Sequence, residues 1–120
     1  EANLERAREF FREGKLRAKF VYHSGDALKS FAATRGKFDI ILNDIDKQSY
    51  PTVARRAVPR LKRGGLLISD NMIRDGKVLR GARDAATDGV RDYTHLVYQD
   101  KRLFTTIVPL RDGVAVSLKR

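Results

Sequence analysis

Two short apolar runs constrain this chain more than any other feature. Phe38-Asp39-Ile40-Ile41-Leu42-Asn43-Asp44 and Leu66-Leu67-Ile68-Ser69-Asp70 each have an apolar centre and end on carboxylates. Runs of this length and composition suit strands buried on both faces of a sheet. Between them, Tyr50 to Arg63 sets Val53, Ala57, Val58 and Leu61 on one side of a helix. Pro51 falls where a first helical turn tolerates it. Pro59 lies deeper, where it removes a helical hydrogen bond and kinks or ends the helix. Gly64-Gly65 then turns the chain into the second strand. Helix alternating with buried strand is the signature of a parallel α/β sheet.

The flanks extend the alternation. Asn3 to Glu13 carries Leu4, Ala7, Phe10 and Phe11 at helical spacing, with Asn3 as a cap and Gly14 as the stop. Lys19 to Ser24 is β-prone and ends at Gly25. Asp26 opens a second helical segment, Ala27 to Ala33, with Leu28 and Phe31 inward. After the second apolar run, Asn71 to Gly81 reads as a loop and Ala82 to Gln99 as helix interrupted near Gly89. Leu103 to Leu110 and Val114 to Leu118 flank Arg111-Asp112-Gly113, which predicts a terminal antiparallel hairpin. No repeat or low-complexity linker divides the chain, so residues 1–120 are read as one domain.

Composition excludes several chemistries. With no Cys among 120 residues, disulfides, thiolate zinc sites and cysteine nucleophiles are ruled out, and a reducing, cytoplasmic setting is the expectation. No apolar run approaches the roughly 20 residues that cross a bilayer. A formal net charge of +10 attracts polyanions. Arg55, Arg56, Arg60, Lys62 and Arg63 form the densest basic segment, but stacking aromatics are scarce on it, so a solvated helix face is the default. A nucleic-acid-binding α/β module and a non-catalytic assembly module remain the alternatives to an enzyme.

In open α/β sheets ligands lie beyond the carboxyl ends of the strands. That edge would collect Gly25-Asp26, Asn43-Asp44-Ile45-Asp46-Lys47 and Asp70-Asn71. Any one of these clusters is also what ordinary turns and caps use; three on one edge favour a site. Asp44, Asp70 and Asn71 offer two carboxylates and an amide oxygen, a donor set suited to Mg²⁺. Lys47, three residues after Asp44, is either a proton acceptor in its free amine form, with a pKa lowered by burial or neighbouring cations, or a loop cation paired with Asp46. A receiver-like module would also use Asp44, but the early acidic pair it needs is absent.

The run from Phe38 to Lys47, with Tyr50 after it, resembles the strand-end signature of the catechol and caffeoyl-coenzyme A O-methyltransferases, within the class I S-adenosylmethionine-dependent methyltransferases. The similarity continues through Leu61, Gly64-Gly65-Leu66-Leu67-Ile68, Asp70-Asn71, Gly76-Lys77-Val78, Pro109-Leu110, Asp112-Gly113 and Lys119. The resemblance implies a Rossmann-like methyltransferase sheet with a terminal antiparallel hairpin. It implies a divalent metal on Asp44, Asp70 and Asn71, and Lys47 as the catalytic base or as the group that steadies the reacting oxygen. S-adenosylmethionine would be held by Glu1, Gly25, Asp26, Ala27, Asp44 and Asp46. A small hydroxyl acceptor, in its narrower form a vicinal-diol aromatic, and a homodimer complete the implied set.

The chain departs from the pattern in three places. Asn43 stands where an apolar strand residue is usual, so it is either an altered pocket wall or a buried amide in need of partners. Arg74-Asp75 replaces an aromatic or leucine-rich segment that shapes the acceptor pocket. The implied sheet order is 3-2-1-4-5-7-6, with residues 19–24 as its third strand and 38–44 as its fourth. The first two strands and the glycine-rich cofactor loop are therefore expected to be missing from this chain.

Overall fold

The computed structural model describes residues 2–15 and 17–120, which fall into two compact units divided between Thr34 and Arg35. In the first unit, α1 (Ala2–Glu13) turns Leu4, Ala7 and Phe11 to one half-buried stripe. Phe10 leaves that stripe and is exposed beneath the Arg6 guanidinium, and Asn3 lies inside the helix instead of capping it. Helix α2 (Ala27–Ala33) starts as expected, because the Asp26 carboxylate accepts the Lys29 N–H at 3.0 Å.

Residues 19–24 do not form the expected strand. A strand is stabilised by its ladder, and none of the described residues pairs with this segment. Its aromatic side chains pack locally instead. Phe20 stacks on Phe11 of α1 with ring centroids 3.8 Å apart, and Tyr22 lies 6.4 Å from both rings.

The second unit holds a four-stranded mixed sheet of β1 (Phe38–Asn43), β2 (Leu61–Ser69), β3 (Leu103–Val108) and β4 (Val114–Lys119), in the order β1-β2-β4-β3. β1 and β2 are parallel, and the hairpin of β3 and β4 adds antiparallel to β2. This is the order the resemblance implies for its fourth, fifth, seventh and sixth strands. Helices α3 (Tyr50–Ala57) and α4 (Ala85–Gln99) cover one face, and Leu67, Ala115, Val90 and Tyr93 are buried there. Ile40 and Leu42 on the other face are 60% and 69% exposed, so β1 is not buried on both faces as its composition suggested. Ile41 and Asn43, at the alternate positions, take the helix-covered side.

Pro59 acts as a terminator. α3 stops at Ala57, a 3₁₀ turn takes Val58–Arg60, and β2 already begins at Leu61. The expected helix through Arg63 is therefore six residues shorter, because Pro59 has no N–H to donate back along the helix. Gly64-Gly65 is likewise not a turn before the strand but a bulge within it. Phe38 pairs with Leu61 and Ile40 with Leu66, so the extra length of β2 loops out between them. Gly64 takes φ +78 into open space, whereas a Cβ on Gly65 would meet the carbonyl oxygens of Lys62, Asp39 and Phe38 at 2.9, 3.0 and 3.1 Å.

That contrast sets an expected order of damage. Gly64→Ala costs about 1 kcal/mol through its left-handed backbone. Gly65→Ala costs more, about 2–3 kcal/mol, because main-chain carbonyls cannot move aside without opening the β1–β2 ladder. Urea denaturation of the full-length variants measures both; an equal or reversed ranking would contradict the bulge geometry.

Candidate functional site

The parallel pairing of β1 and β2 places the two expected carboxylates side by side. Asn43 and Ser69 are in register, and the Asp70 N–H donates to the Asn43 carbonyl at 3.2 Å. Asp44 and Asp70 thus leave neighbouring strands at the same level, roughly 5 Å apart along the sheet. Asn71 follows in the left-handed region at φ 55, a conformation asparagine tolerates better than most residues. Met72 and Ile73 then donate their N–H groups to the carbonyls of Gly113 and Asp112 at 2.9 and 2.8 Å, which fastens this loop to the hairpin turn.

Lys47 opens a 3₁₀ turn, Lys47–Ser49, that runs straight into α3. Its Nζ donates to Asp44 Oδ1 at 2.8 Å and to the Tyr50 hydroxyl at 2.9 Å, with the Ile45 carbonyl at 3.4 Å. Tyr50 in turn donates its own proton to the Asp70 carbonyl at 2.9 Å, with the Asn43 carbonyl at 3.4 Å. One phenol therefore joins the ends of both strands to the lysine. The expected pairing of Lys47 with Asp46 is replaced by pairing with Asp44, and Asp46 points into solvent.

Burial pulls the Lys47 pKa down, but the hydrogen bonds to Asp44 and Tyr50 outweigh it and hold the amine above its ordinary 10.5. The expected free amine is thus not the resting state. A side chain only 14% exposed and ringed by three oxygens is an ammonium at neutral pH.

Behind the carboxylates lies a second polar layer. Asn43 is 3% exposed; its Nδ2 donates to Ser69 Oγ at 3.1 Å, and Ser69 Oγ lies 2.5 Å from the Tyr93 hydroxyl. Asn43 Oδ1 is buried without a hydrogen-bond partner. Of the two readings of Asn43, the buried amide is the one observed, with its donor half satisfied. Burial pushes the Tyr93 hydroxyl up to about 12, against an opposing hydrogen bond from Ser69. Burial also raises Tyr50, although Lys47 opposes it.

Sequence reasoning missed Ser69, Tyr93 and above all Gly89. Helix α4 is not interrupted at Gly89 but continuous through it. A Cβ there would strike the Lys47 carbonyl oxygen and would lie 2.7 Å from Gln48 Cα. Gly89 is the point at which α4 presses on the backbone that carries Lys47. A glycine inside a helical pattern was the available signal, and it marks close packing as well as a break.

The oxygens of Asp44, Asp70 and Asn71 are of the hard type that a divalent cation such as Mg²⁺ takes. They come from adjacent strand ends, the Asp44 side chain is 59% exposed, and two carboxylates with an amide leave room for water or substrate oxygens. Among the described residues no group of three or more His, Cys, Asp or Glu could hold a metal, so the set depends on the amide and on outside ligands. Gly25, at φ 95, and Ala27 belong to the first unit with Asp26, whose observed work is to cap α2. Glu1 lies outside the described residues. No helix among the described residues is long and apolar enough to cross a membrane.

Two measurements test this geometry. The folded-state values of Tyr93 and Tyr50 lie above the unfolded value of 10.0, so the stability they carry is complete below about pH 10 and falls as pH rises beyond it, for Tyr93 up to about 12. Tyrosinate absorbance should show part of the four-tyrosine signal appearing late and together with unfolding; full ionisation in a still-folded protein would refute the burial. Gly89→Ala should cost about 1–3 kcal/mol in thermal denaturation, and an unchanged melting temperature would mean that α4 does not bear on the lysine turn.

Comparison with known proteins gives one consistent family. The model of the O-methyltransferase family matches residues 1–120. The Mycobacterium tuberculosis protein named "Probable O-methyltransferase Rv1220c" is 28% identical over 121 residues, covering 98% of this chain and 54% of its own length. A catechol O-methyltransferase of Niastella koreensis is 32% identical over 89 residues, 69% of this chain and 40% of that protein. The O-methyltransferase of Bacillus cereus, solved in complex with SAH, is 25% identical and superposes with a TM-score of 0.73, over 82% of this chain and 49% of that one. The chain spans about half the length of the curated relatives it matches.

Proposed function

The chain belongs to the O-methyltransferase family, and on that premise we propose that the whole protein moves a methyl group from S-adenosylmethionine to a hydroxyl oxygen of a small acceptor. The observation that carries this reading is the network of Asp44, Lys47, Tyr50 and Asp70 at the carboxyl ends of two parallel strands. Residues 1–120 are read as part of a single methyltransferase domain. A homodimer and a cytoplasmic setting belong to the same reading, supported by the resemblance alone.

Asp44, Asp70 and Asn71 would hold a divalent cation such as Mg²⁺. When bound, the cation lowers the pKa of an acceptor hydroxyl and orients a neighbouring oxygen, which makes a vicinal diol a suitable acceptor. Lys47 is the proposed catalytic residue. Its part would be either to take the hydroxyl proton or to donate a hydrogen bond to the reacting oxygen as negative charge develops there, the raised pKa belonging to the cation-free network of Asp44 and Tyr50. The oxygen would attack the methyl carbon in line, with the carbon–sulfur bonding pair left on sulfur and the hydroxyl proton passed to Lys47 or to solvent. Glu1, Gly25, Asp26, Ala27, Asp44 and Asp46 are the proposed contacts to S-adenosylmethionine. Tyr50 and Gly89 keep Lys47 in place, so that little reorganisation is needed at the moment of transfer.

The test is calorimetric titration of the full-length protein with S-adenosylmethionine, with and without Mg²⁺, followed by an acceptor screen. Micromolar binding is expected, with turnover that requires the divalent ion. Lys47→Ala should lower kcat by about 10²–10⁴ while leaving S-adenosylmethionine binding nearly intact. No binding of S-adenosylmethionine in either condition would end the methyl-transfer reading.

A further inference from the structure

We propose that Arg74 recognises an anionic group, carboxylate or phosphate, on the acceptor, so that the substrate class is a negatively charged hydroxy compound. The inference rests on the methyl-transfer reading of the site and adds the charge of the molecule that enters it.

Position is the first observation. Arg74 lies three residues beyond Asn71, in a loop whose backbone is held in an uncommon shape: Asn71, Arg74 and Asp75 take φ values of 55, 52 and 51. Three non-glycine residues in the left-handed region within five positions are rare, and such strain persists only where surrounding bonds enforce it. Here the enforcing bonds are those of Met72 and Ile73 to the hairpin turn, and the Asp75 N–H on Asp112 Oδ1 at 2.6 Å. The loop is thus a rigid carrier for the Arg74 side chain.

A second line reaches the same place through α4. The Arg74 guanidinium contacts Asp84, the N-cap of that helix, and Gly89 lies five residues further on against the Lys47 turn. Five residues are about 7.5 Å of helix. Arg74 is therefore tied to the lysine turn from one side and to Asn71 from the other.

The third observation is that the guanidinium is under-used. Arg74 is mostly buried, its side chain 20% exposed, yet Nε has no partner and the bond to Asp84 is long at 3.4 Å. Asp84 is shared with its own helix, because its two oxygens also accept from the Thr87 N–H and hydroxyl at 2.9 and 2.7 Å. A guanidinium carries five donors, and leaving them unmet away from water is costly. Neighbouring cations do not share this condition. Arg91 is spent on the carbonyls of Ala82 and Val78 and on Asp88, while Arg80 and Lys77 are exposed, where water meets their donors. Arg74, with Lys77 adding to the positive field at Asp84, is the group with donors to spare. A carboxylate or phosphate matches its planar fork.

The experiment uses full-length protein saturated with S-adenosylhomocysteine and Mg²⁺, titrated calorimetrically with 3,4-dihydroxybenzoate, its neutral methyl ester and 3,4-dihydroxyphenylphosphonate. At least one anion should bind about tenfold more tightly than the ester, and the two anions separate carboxylate from phosphate recognition. Arg74→Gln should abolish the preference and Arg74→Lys should keep part of it, with thermal melts confirming that both variants fold. Equal binding of anions and ester, no binding of either anion, or a preference unchanged in Arg74→Gln would overturn the proposal. Turnover of the ester without anion preference would remove Arg74 while sparing the methyl-transfer reading. Failure of S-adenosylmethionine to bind would remove that reading and the Arg74 proposal with it.

Discussion

The register between β1 and β2 is the constraint on which the rest of the site depends. Pairing Asn43 with Ser69 makes Asp44 and Asp70 the first residues beyond neighbouring strands, and it brings two main-chain carbonyls within reach of one phenol. A slip of one residue would turn Asn43 and Ser69 toward the opposite face and move the carboxylates out of step. The bulge at Gly64-Gly65 protects this register. It takes up the surplus residues at the start of β2, far from the site, so that the paired stretch from Ile40 to Asn43 runs without a break.

Tyr50 converts that register into a placed lysine. Its hydroxyl has one proton to give and gives it to the Asp70 carbonyl, which leaves its lone pairs for the Lys47 ammonium. Its ring is fully buried and meets Tyr93 edge-on at 5.3 Å, so the phenol cannot swing away without disturbing α4. The lysine is thus positioned by packing as well as by charge, and its contact with Asp44 is one bond of several. Isolated exposed ion pairs contribute little; this one is useful because Tyr50 and the 3₁₀ turn have already fixed the geometry.

What the sequence disclosed and what it hid divide along the range of the interactions involved. The strand ends at Asp44 and Asp70 were legible because an apolar run followed by carboxylates is a local pattern, and so was the hairpin around Asp112-Gly113. Residues 19–24 misled because β-propensity describes a side chain's fit to a sheet, whereas a strand also needs a neighbour. Gly89 misled for the opposite reason. Helix propensity counts against glycine, but contact with Lys47 and Gln48, some forty residues away in sequence, requires it. Of the two readings of Asn43 the buried amide is the one observed, yet its partner Ser69 lies on another strand and Ser69's partner Tyr93 on a distant helix, and no local pattern could name them.

Two of the departures from the family pattern, Asn43 and Arg74, reach the same element. Asn43 connects through Ser69 to Tyr93 in the middle of α4, and Arg74 connects to Asp84 at its start. Gly89 lies between these points and touches the lysine turn. One continuous helix therefore carries the Asp84 contact to Arg74, the Gly89 contact to the lysine turn and the Tyr93 contact to Ser69. The cap that begins this helix is itself charge-dependent: the bonds from Thr87, with Arg74 and Lys77 nearby, hold the Asp84 carboxyl below its ordinary 3.8. That contribution is present above the unfolded value and disappears as pH falls through the folded one. Acid would thus release the cap of α4 and the anchor of Arg74 together, whereas the Tyr50 and Ser69 bonds, which involve no carboxylate side chain, would remain. The loop of Arg74 thus leans on a surface carboxylate at the start of α4, whereas Lys47 keeps its bond to the buried Tyr50 when its surface partner, Asp44, is protonated.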